Sequence, residues 1–299
     1  MDRVCAVIVT YNRKELLREC LQAVLSQTRP PDHVLVVDNA STDGTREMLK
    51  EEFPEVEVLA LPENQGGAGG FHEGMKKAYK EGFDWLWIMD DDTYPEVDAL
   101  AALLEHKGEA EILVPVQRTS DGSMYGVGYW KGGRYVSARA DAFAGGVFRV
   151  ELFSFVGPLI NRRVIADVGL PRAEFFIWFD DVEYALRVRK KGKAVLCVPR
   201  SVVNHDFGQF RRVSFMGRNK LRLFHPAWKI YYGARNRGWV VLRSAYAEPR
   251  LKSVIAYLVD NLRQCLGDLV YEPDRWVRFT FRCLGIWDAV TGRLGKRYP

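Results

Sequence analysis

The chain has 299 residues, of which 47% are hydrophobic and 12% aromatic, enough for one large domain or a domain with an appendage. No apolar run reaches the length of a membrane span, and five widely spaced cysteines without a CxxC pair argue against a disulfide framework and for reduced core thiols in a cytosolic protein. The net charge of +5 is unevenly distributed: residues 206–299 carry +11 and the remainder −6, so an acidic body and a basic tail are expected to do different jobs.

The start, MDRVCAVIVTYNR, has an acid and one base before a short apolar run and does not read as a signal peptide. VCAVIVT reads as a buried strand, and KELLRECLQAVLSQ follows with Leu17, Cys20, Leu21, Val24 and Leu25 on one helical face. HVLVVDN is a second strand, residues 42–52 a helix, and VEVLALP a third strand. The Gly-rich turn NQGGAGGF opens a helix through Tyr79. WLWIMDDD is a fourth strand, PEVDALAALLEH a helix and EILVPVQ a fifth strand. This alternation predicts an α/β fold, a mostly parallel sheet with helices on both faces. From Ser120 to Val150 the Gly, Tyr and Arg content suits hairpins or a lid. FVGPLINRRVIADVGLP reads as strand then helix, FFIWFDDVEYALRVRKKG runs into another helix, and AVLCVP is a strand. A basic, helical segment rich in Trp, Arg and Leu closes the chain.

Ligands on such sheets bind beyond the carboxyl ends of the strands. Those ends are polar here: Thr10 to Arg13, Asp38-Asn39, Pro62 to Asn64 and Asp90 to Asp92. The first turn, TYNRKE, lacks the glycines of a dinucleotide fold and the Gly-rich basic loop of a nucleotidyltransferase. Gly66 and Gly67 either bring backbone amides to an anion at a helix start or serve a tight turn. Three consecutive acids after a buried strand exceed what a helix cap needs. Hard oxygen ligands suit Mg²⁺ or Mn²⁺ bridging a diphosphate. Asp180 and Asp181 are either dipole-favoured helix starters or a general base held in a partly dry site. His205 alone is either a packing residue or a ligand.

TYNR, VVDNASTDGT, NQGGAGGF, MDDD and FFIWFDDVEYALR, in this order, resemble family-two glycosyltransferases of the GT-A fold over residues 3–240. NQGGAGGFHEGM, DDVEY and a His after them resemble the galactofuranosyltransferase-like branch, which borders bacterial rhamnosyltransferases. The resemblance implies a GT-A domain over 1–240, with a nucleotide-sugar half to 117 and an acceptor half over 118–240, and a basic helical extension over 241–299. It implies that Thr10, Arg13, Asp38 and Asn64 hold nucleobase and ribose, with Gly66, Gly67, Asp90 and Asp91 also on the nucleotide sugar. Asp90, Asp92 and His205 would be the ligands of Mn or Mg, Asp181 the general base, and Asp180 and Trp178 acceptor contacts. Arg235, in YYGARNRG, is a candidate for the diphosphate or acceptor. FVGPLINR is less aromatic than the same segment of known galactofuranosyltransferases.

The implied reaction is inverting, metal-dependent transfer from a nucleoside-diphosphate sugar, UDP-galactofuranose first and dTDP-rhamnose second, to a glycan or lipid-linked acceptor. A non-catalytic binding protein of the same fold is the competing class. Nucleic-acid binding is not expected. The expected location is cytoplasmic. The basic tail, with Trp276, Arg278, Arg282 and Trp287, is either a solvated face or a peripheral contact with the inner face of the cell membrane.

Overall fold

In the computed structural model, residues 2–206, 208–215, 218–243 and 250–299 are described. They form two compact units. The first comprises Met1–Tyr129, Val136–Ala173 and Asp181–Asp206; the second comprises Trp130–Tyr135, Glu174–Asp180 and Phe207–Pro299.

The first unit begins with the β/α alternation that the sequence predicts. In order come β1 (Val4–Thr10), α1 (Lys14–Leu25), β2 (His33–Asp38), α2 (Thr45–Glu52), β3 (Glu57–Ala60), α3 (Gly66–Lys80) and β4 (Trp85–Asp90). All of β1 is buried, as a β-branched strand covered on both faces requires. Leu17, Cys20, Leu21 and Val24 are the buried face of α1. β5 (Tyr94–Pro95) precedes α4 (Ala99–Leu104), which begins four residues after the Pro95 start that the sequence suggests. Tyr94 and Pro95 are extended there because they pair with Asn204 and Val203. β6 (Ile112–Arg118), the short strands β7 (Met124–Tyr125), β8 (Val127–Lys131), β9 (Arg134–Ser137) and β10 (Phe148–Arg149), then β11 (Leu152–Phe153), β12 (Leu159–Asn161) and α5 (Arg162–Val168) follow. The hairpins expected over Ser120–Val150 are these short strands. α6 (Asp180–Lys190), from Asp181 onward, and β13 (Val195–Asn204) complete the unit.

The sheet order is β10-β13-β6-β12-β4-β1-β2-β3, with β5 on β13 and β7 on β6. β3, β2, β1 and β4 are parallel neighbours, and β13 is parallel to β6. β12 is antiparallel to both β4 and β6, which makes the sheet mixed in its middle. Register places Thr10 opposite Asp38 and Val9 opposite Asp90. The polar ends of three strands therefore share one edge.

The glycines after β3 have a role the sequence reading did not weigh. α3 starts at Gly66 itself, with φ +71°. A methyl group added at Gly70 would run into Val9 Cγ1, and one at Gly74 into Val7 and Val37. Only bare backbone lets α3 lie this close to β1 and β2.

The second unit holds the hairpin β14 (Gln209–Phe215) and β15 (Arg218–Phe224), with α7 (Ala227–Arg243), α8 (Arg250–Tyr271) and α9 (Arg275–Thr291). The expected boundary at 240 falls inside α7. Gly238 of α7 touches Tyr257 and Ala289 so closely that a Cβ would collide with both, so α7 packs as one body with α8 and α9. Residues 244–249, at the start of the expected extension, lie outside the described residues. Among the described residues no helix is long and apolar enough to cross a membrane.

Arg278 and Arg282, expected on either a solvated face or a membrane contact, instead point inward and are only 4% and 5% exposed. Arg278 pairs with Asp274 at 2.6 Å and Arg282 with Asp268 at 2.7 Å. Burial of an unpaired guanidinium would be prohibitive, so these acids fix which face of α9 turns inward. Trp276 and Trp287 remain exposed.

Candidate active site

β4 delivers three carboxylates to the polar edge, and each meets a different environment. Asp91 turns inward, 3% exposed, and accepts hydrogen bonds from Thr10 Oγ1 at 2.7 Å and Arg13 Nη1 at 3.1 Å. Burial pushes its carboxyl up to about 6, against the pull of the Arg13 charge and the Thr10 hydroxyl. Asp92 is more exposed. Its Oδ2 accepts from Arg13 Nη1 at 2.7 Å, and its Oδ1 lies 3.4 Å from His205 Nε2. Burial acts to raise its pKa, but the His205 contact and the Arg13 charge outweigh that and hold it below the ordinary value.

His205, at the end of β13, is oriented from its other side. Its Nδ1 lies 2.6 Å from the Tyr125 hydroxyl, which also reaches the His205 carbonyl oxygen at 2.9 Å. A hydroxyl has one proton. The assignment that satisfies both contacts has Tyr125 donating to the carbonyl and accepting from Nδ1–H. Nε2 then faces a carboxylate oxygen either as the N–H of an imidazolium, which makes the contact an ion pair, or as the lone pair of a neutral ring, in which case two acceptors meet and a cation fits between them. Neighbouring ligands of an ion with bonds near 2.1 Å stand roughly 3 Å apart, so this pair suits a small divalent metal. Asp90 does not complete a three-ligand cluster with them. Among the described residues only His33, Glu57 and Glu81 bring three ligand atoms within 4.8 Å of one another, and Lys77 already pairs with both glutamates.

The structure also brings together the ends of β1, β2 and β3. Asp38 is fully buried; its Oδ1 accepts from the Ser41 amide at 2.9 Å and its Oδ2 from Arg46 Nε. Asn39 accepts from the Gln65 amide at 3.1 Å and donates to the Gly66 carbonyl at 2.9 Å. Asn64 accepts from the Gly66 amide at 2.8 Å. These bonds hold the left-handed Gly66 at the start of α3. A methyl at Gly67 would meet nothing within 4 Å, so the backbone there borders open space. Asn12, itself at φ +52°, accepts from the Thr42 amide at 2.7 Å and ties the β1 and β2 loops together.

The second carboxylate pair starts α6. Three aromatic residues ahead of it, Phe176, Trp178 and Phe179, have φ of +65° to +66°. Each is disfavoured by roughly 1–2 kcal/mol in that region. Asp180 is buried. Asp181 accepts from the Val182 amide at 2.7 Å, yet burial dominates and pushes its carboxyl up to about 6. A carboxylate titrating near neutrality is what proton abstraction at physiological pH needs.

The model of "Glycosyl transferase family 2" matches residues 5–156. The chain belongs to this family. It is 29% identical over 289 residues to galactofuranosyltransferase GlfT1 of Mycolicibacterium smegmatis, covering 92% of this chain and 88% of that one. It is 24% identical to N-acetylglucosaminyl-diphospho-decaprenol L-rhamnosyltransferase of Mycobacterium tuberculosis, over 80% of this chain and 86% of the relative. Among solved structures, GalNAc-T7 with UDP, GalNAc and Mn²⁺ superposes with a TM-score of 0.61 at 17% identity, covering 97% of this chain and 56% of that one. S. aureus TarS 1–349 gives a TM-score of 0.56 at 15% identity, covering 96% and 81%. The fold is that of GT-A glycosyltransferases, and the chain is a family-two glycosyltransferase.

Within this family-two chain, one expected ligand contact is not available. Arg235 is wholly buried in the second unit. Its guanidinium donates to the carbonyls of Glu174, Phe175 and Gly295 and to Asn236 Oδ1. Its guanidinium carbon lies 5.3 Å from the Tyr231 ring centroid and 4.8 Å from that of Tyr232, a place for a structural cation rather than a ligand contact. Residues that the sequence reading missed include Tyr125, Asn39 and Asn236. Tyr125 lay in a segment read only as hairpin or lid. Asn39 sat beside Asp38 in a strand tip already noted as polar.

Proposed function

We propose that this glycosyltransferase moves a sugar from a nucleoside-diphosphate donor, UDP-galactofuranose by first choice, to a glycan or lipid-linked hydroxyl with inversion. The observation carrying the reading is the His205 Nε2 and Asp92 Oδ1 pair, 3.4 Å apart on the strand edge that also holds Thr10 and Asp38. Asp92 and His205 would hold a divalent ion, Mn²⁺ or Mg²⁺, with Asp90 as a further candidate ligand. Such an ion, when bound, neutralises charge on a diphosphate.

Asp181 takes the acceptor hydroxyl proton onto a carboxylate oxygen. The acceptor oxygen bonds to the anomeric carbon on the face opposite the diphosphate, and the bond from that carbon to the diphosphate oxygen breaks. A single displacement of this kind inverts the anomeric centre. Asp180 and Trp178, next to the base in sequence, are the proposed acceptor contacts. The Gly66–Gly67 amides, Asn64 and Asp38 are the proposed nucleotide-sugar side. Transfer from UDP-galactofuranose to octyl β-galactoside, followed by UDP release and by NMR of the product, tests this. An inverted product that is lost with Asp181→Asn is expected, and near-wild-type transfer by that variant would remove Asp181 from the role. Likeness to a rhamnosyltransferase over 80% of the chain supports dTDP-rhamnose as the second donor.

The lipid-facing part of the proposal rests on α8. Leu251, Ile255, Leu258, Leu262, Leu266 and Val270 recur at helical spacing and are 42–73% exposed. The acids of α8 and α9 are all held by arginines: Asp260 by Arg134 and Arg237, Asp268 by Arg222 and Arg282, and Asp288 by Arg297. Lys252 and Arg263 lie exposed on α8. An apolar stripe with outward bases and inward acids suits an anionic bilayer surface. Flotation with phosphatidylglycerol vesicles, abolished by Leu258→Glu with Leu262→Glu, is expected; a soluble dimer that ignores vesicles would contradict it.

A further inference from the structure

The turn that delivers Asp180 and Asp181 is strained three times over, at Phe176, Trp178 and Phe179. Strain of this kind persists only where the surroundings over-determine it. The over-determination here comes from two adjacent residues of α7. Asn236 Nδ2 donates to the carbonyls of Phe175 at 2.9 Å, Ile177 at 2.9 Å and Trp178 at 2.8 Å. Those three carbonyls face one point because the intervening φ angles are left-handed. Arg235 holds the neighbouring part of the same turn, through Glu174 O at 3.2 Å and Phe175 O at 2.9 Å. Its Nε donates to Asn236 Oδ1 at 2.8 Å, which fixes the amide so that its nitrogen faces the turn.

Both side chains are fully buried, so water cannot substitute for them. Behind them, a Cβ at Gly285 of α9 would run into the Tyr231 carbonyl and approach the Arg235 amide to 3.1 Å. α9 therefore backs α7 at this point without an intervening side chain. Asp180 is the last residue of this segment of the second unit and Asp181 is bonded to it, so the position of the turn sets the start of α6 through the chain itself.

We propose that Arg235 and Asn236 are positioning residues for the base: they clamp the left-handed aromatic turn so that Asp181 and its neighbour Trp178 are presented in one fixed orientation. The inference rests on the reading of Asp181 as the base. It predicts a split effect. Misplacing a reacting group by about 1 Å lowers turnover on the order of 100-fold without touching the donor site.

The test compares Asn236→Ala, Arg235→Lys and Asp181→Asn with the full chain, using UDP-galactofuranose, octyl β-galactoside and UDP calorimetry. The expected result is a fall in kcat of roughly 30- to 100-fold for both clamp variants, with UDP affinity and donor KM within twofold of wild type. Phe179→Gly added to Asn236→Ala should restore part of kcat, because glycine accepts the left-handed turn unaided. Where Asn236→Ala does not fold, the comparison is read from Arg235→Lys. Unchanged kcat in the variants would overturn the clamp, and so would parallel losses of kcat and UDP affinity. An active Asp181→Asn would instead overturn the reading of the base, so the two failures are distinguishable.

Discussion

Asp181→Asn should give a protein that is inactive and more stable. Burial raises the Asp181 carboxyl from 3.8 to about 6, so the native state disfavours its charged form. A rise of that size corresponds to about 3 kcal/mol, and partial solvent access reduces the stability effect to about 1–3 kcal/mol. Between about pH 4 and 6 the native protein binds the proton more tightly than the unfolded chain. This group's destabilisation is therefore absent below 3.8 and complete above about 6. Asparagine keeps an acceptor for the Val182 amide and carries no charge. Thermal unfolding at pH 7 should thus show a higher midpoint for Asp181→Asn, and the gap should close towards pH 4. Wild-type kcat/KM should rise about fivefold from pH 5 to pH 6 and flatten above 7. A variant less stable at pH 7, or a wild-type profile flat from pH 5 to 8, would refute the reasoning.

Tyr125→Phe removes the group that fixes the His205 ring, so metal-dependent nucleotide affinity should fall about 10-fold, read by calorimetry; unchanged affinity would mean that the tyrosine only packs. Gly70→Ala places a methyl against Val9 Cγ1 and Asn39, so unfolding should shift down by about 1–3 kcal/mol despite alanine's better helix propensity, measured by denaturant titration.

The parallel half of the sheet was legible because most of its strands are short, mainly apolar runs ending in polar residues and its helices keep one apolar face. β12 was legible as a strand within FVGPLINRRVIADVGLP, but its antiparallel place between β4 and β6 was not, since three residues carry no signal of pairing direction. The acidic cluster was legible as a cluster but not residue by residue. β4 is buried on both faces, so no alternation reveals that Asp91 turns in while Asp92 turns out. Arg and Trp content suggested an interface on α9, but of Trp276, Arg278, Arg282 and Trp287 the tryptophans face outward and the arginines inward. The spacing of Arg278, Arg282, Gly285 and Ala289 on one helical stripe was the signal that could have shown it. Arg235 looked like a ligand contact, and its neighbour Asn236 went unnoticed, because buried polar residues and binding residues are identical in sequence. Their partners are carbonyls some sixty residues away, set only by tertiary packing.

Calorimetric titration of UDP and dTDP, each with and without Mn²⁺, bears most directly on the central claim. The account predicts that UDP binds with Mn²⁺, binds much more weakly without it, and loses the metal dependence in Asp92→Ala. Equal binding of UDP with and without the metal would contradict the assignment of Asp92 and His205, and a preference for dTDP would contradict the choice of donor.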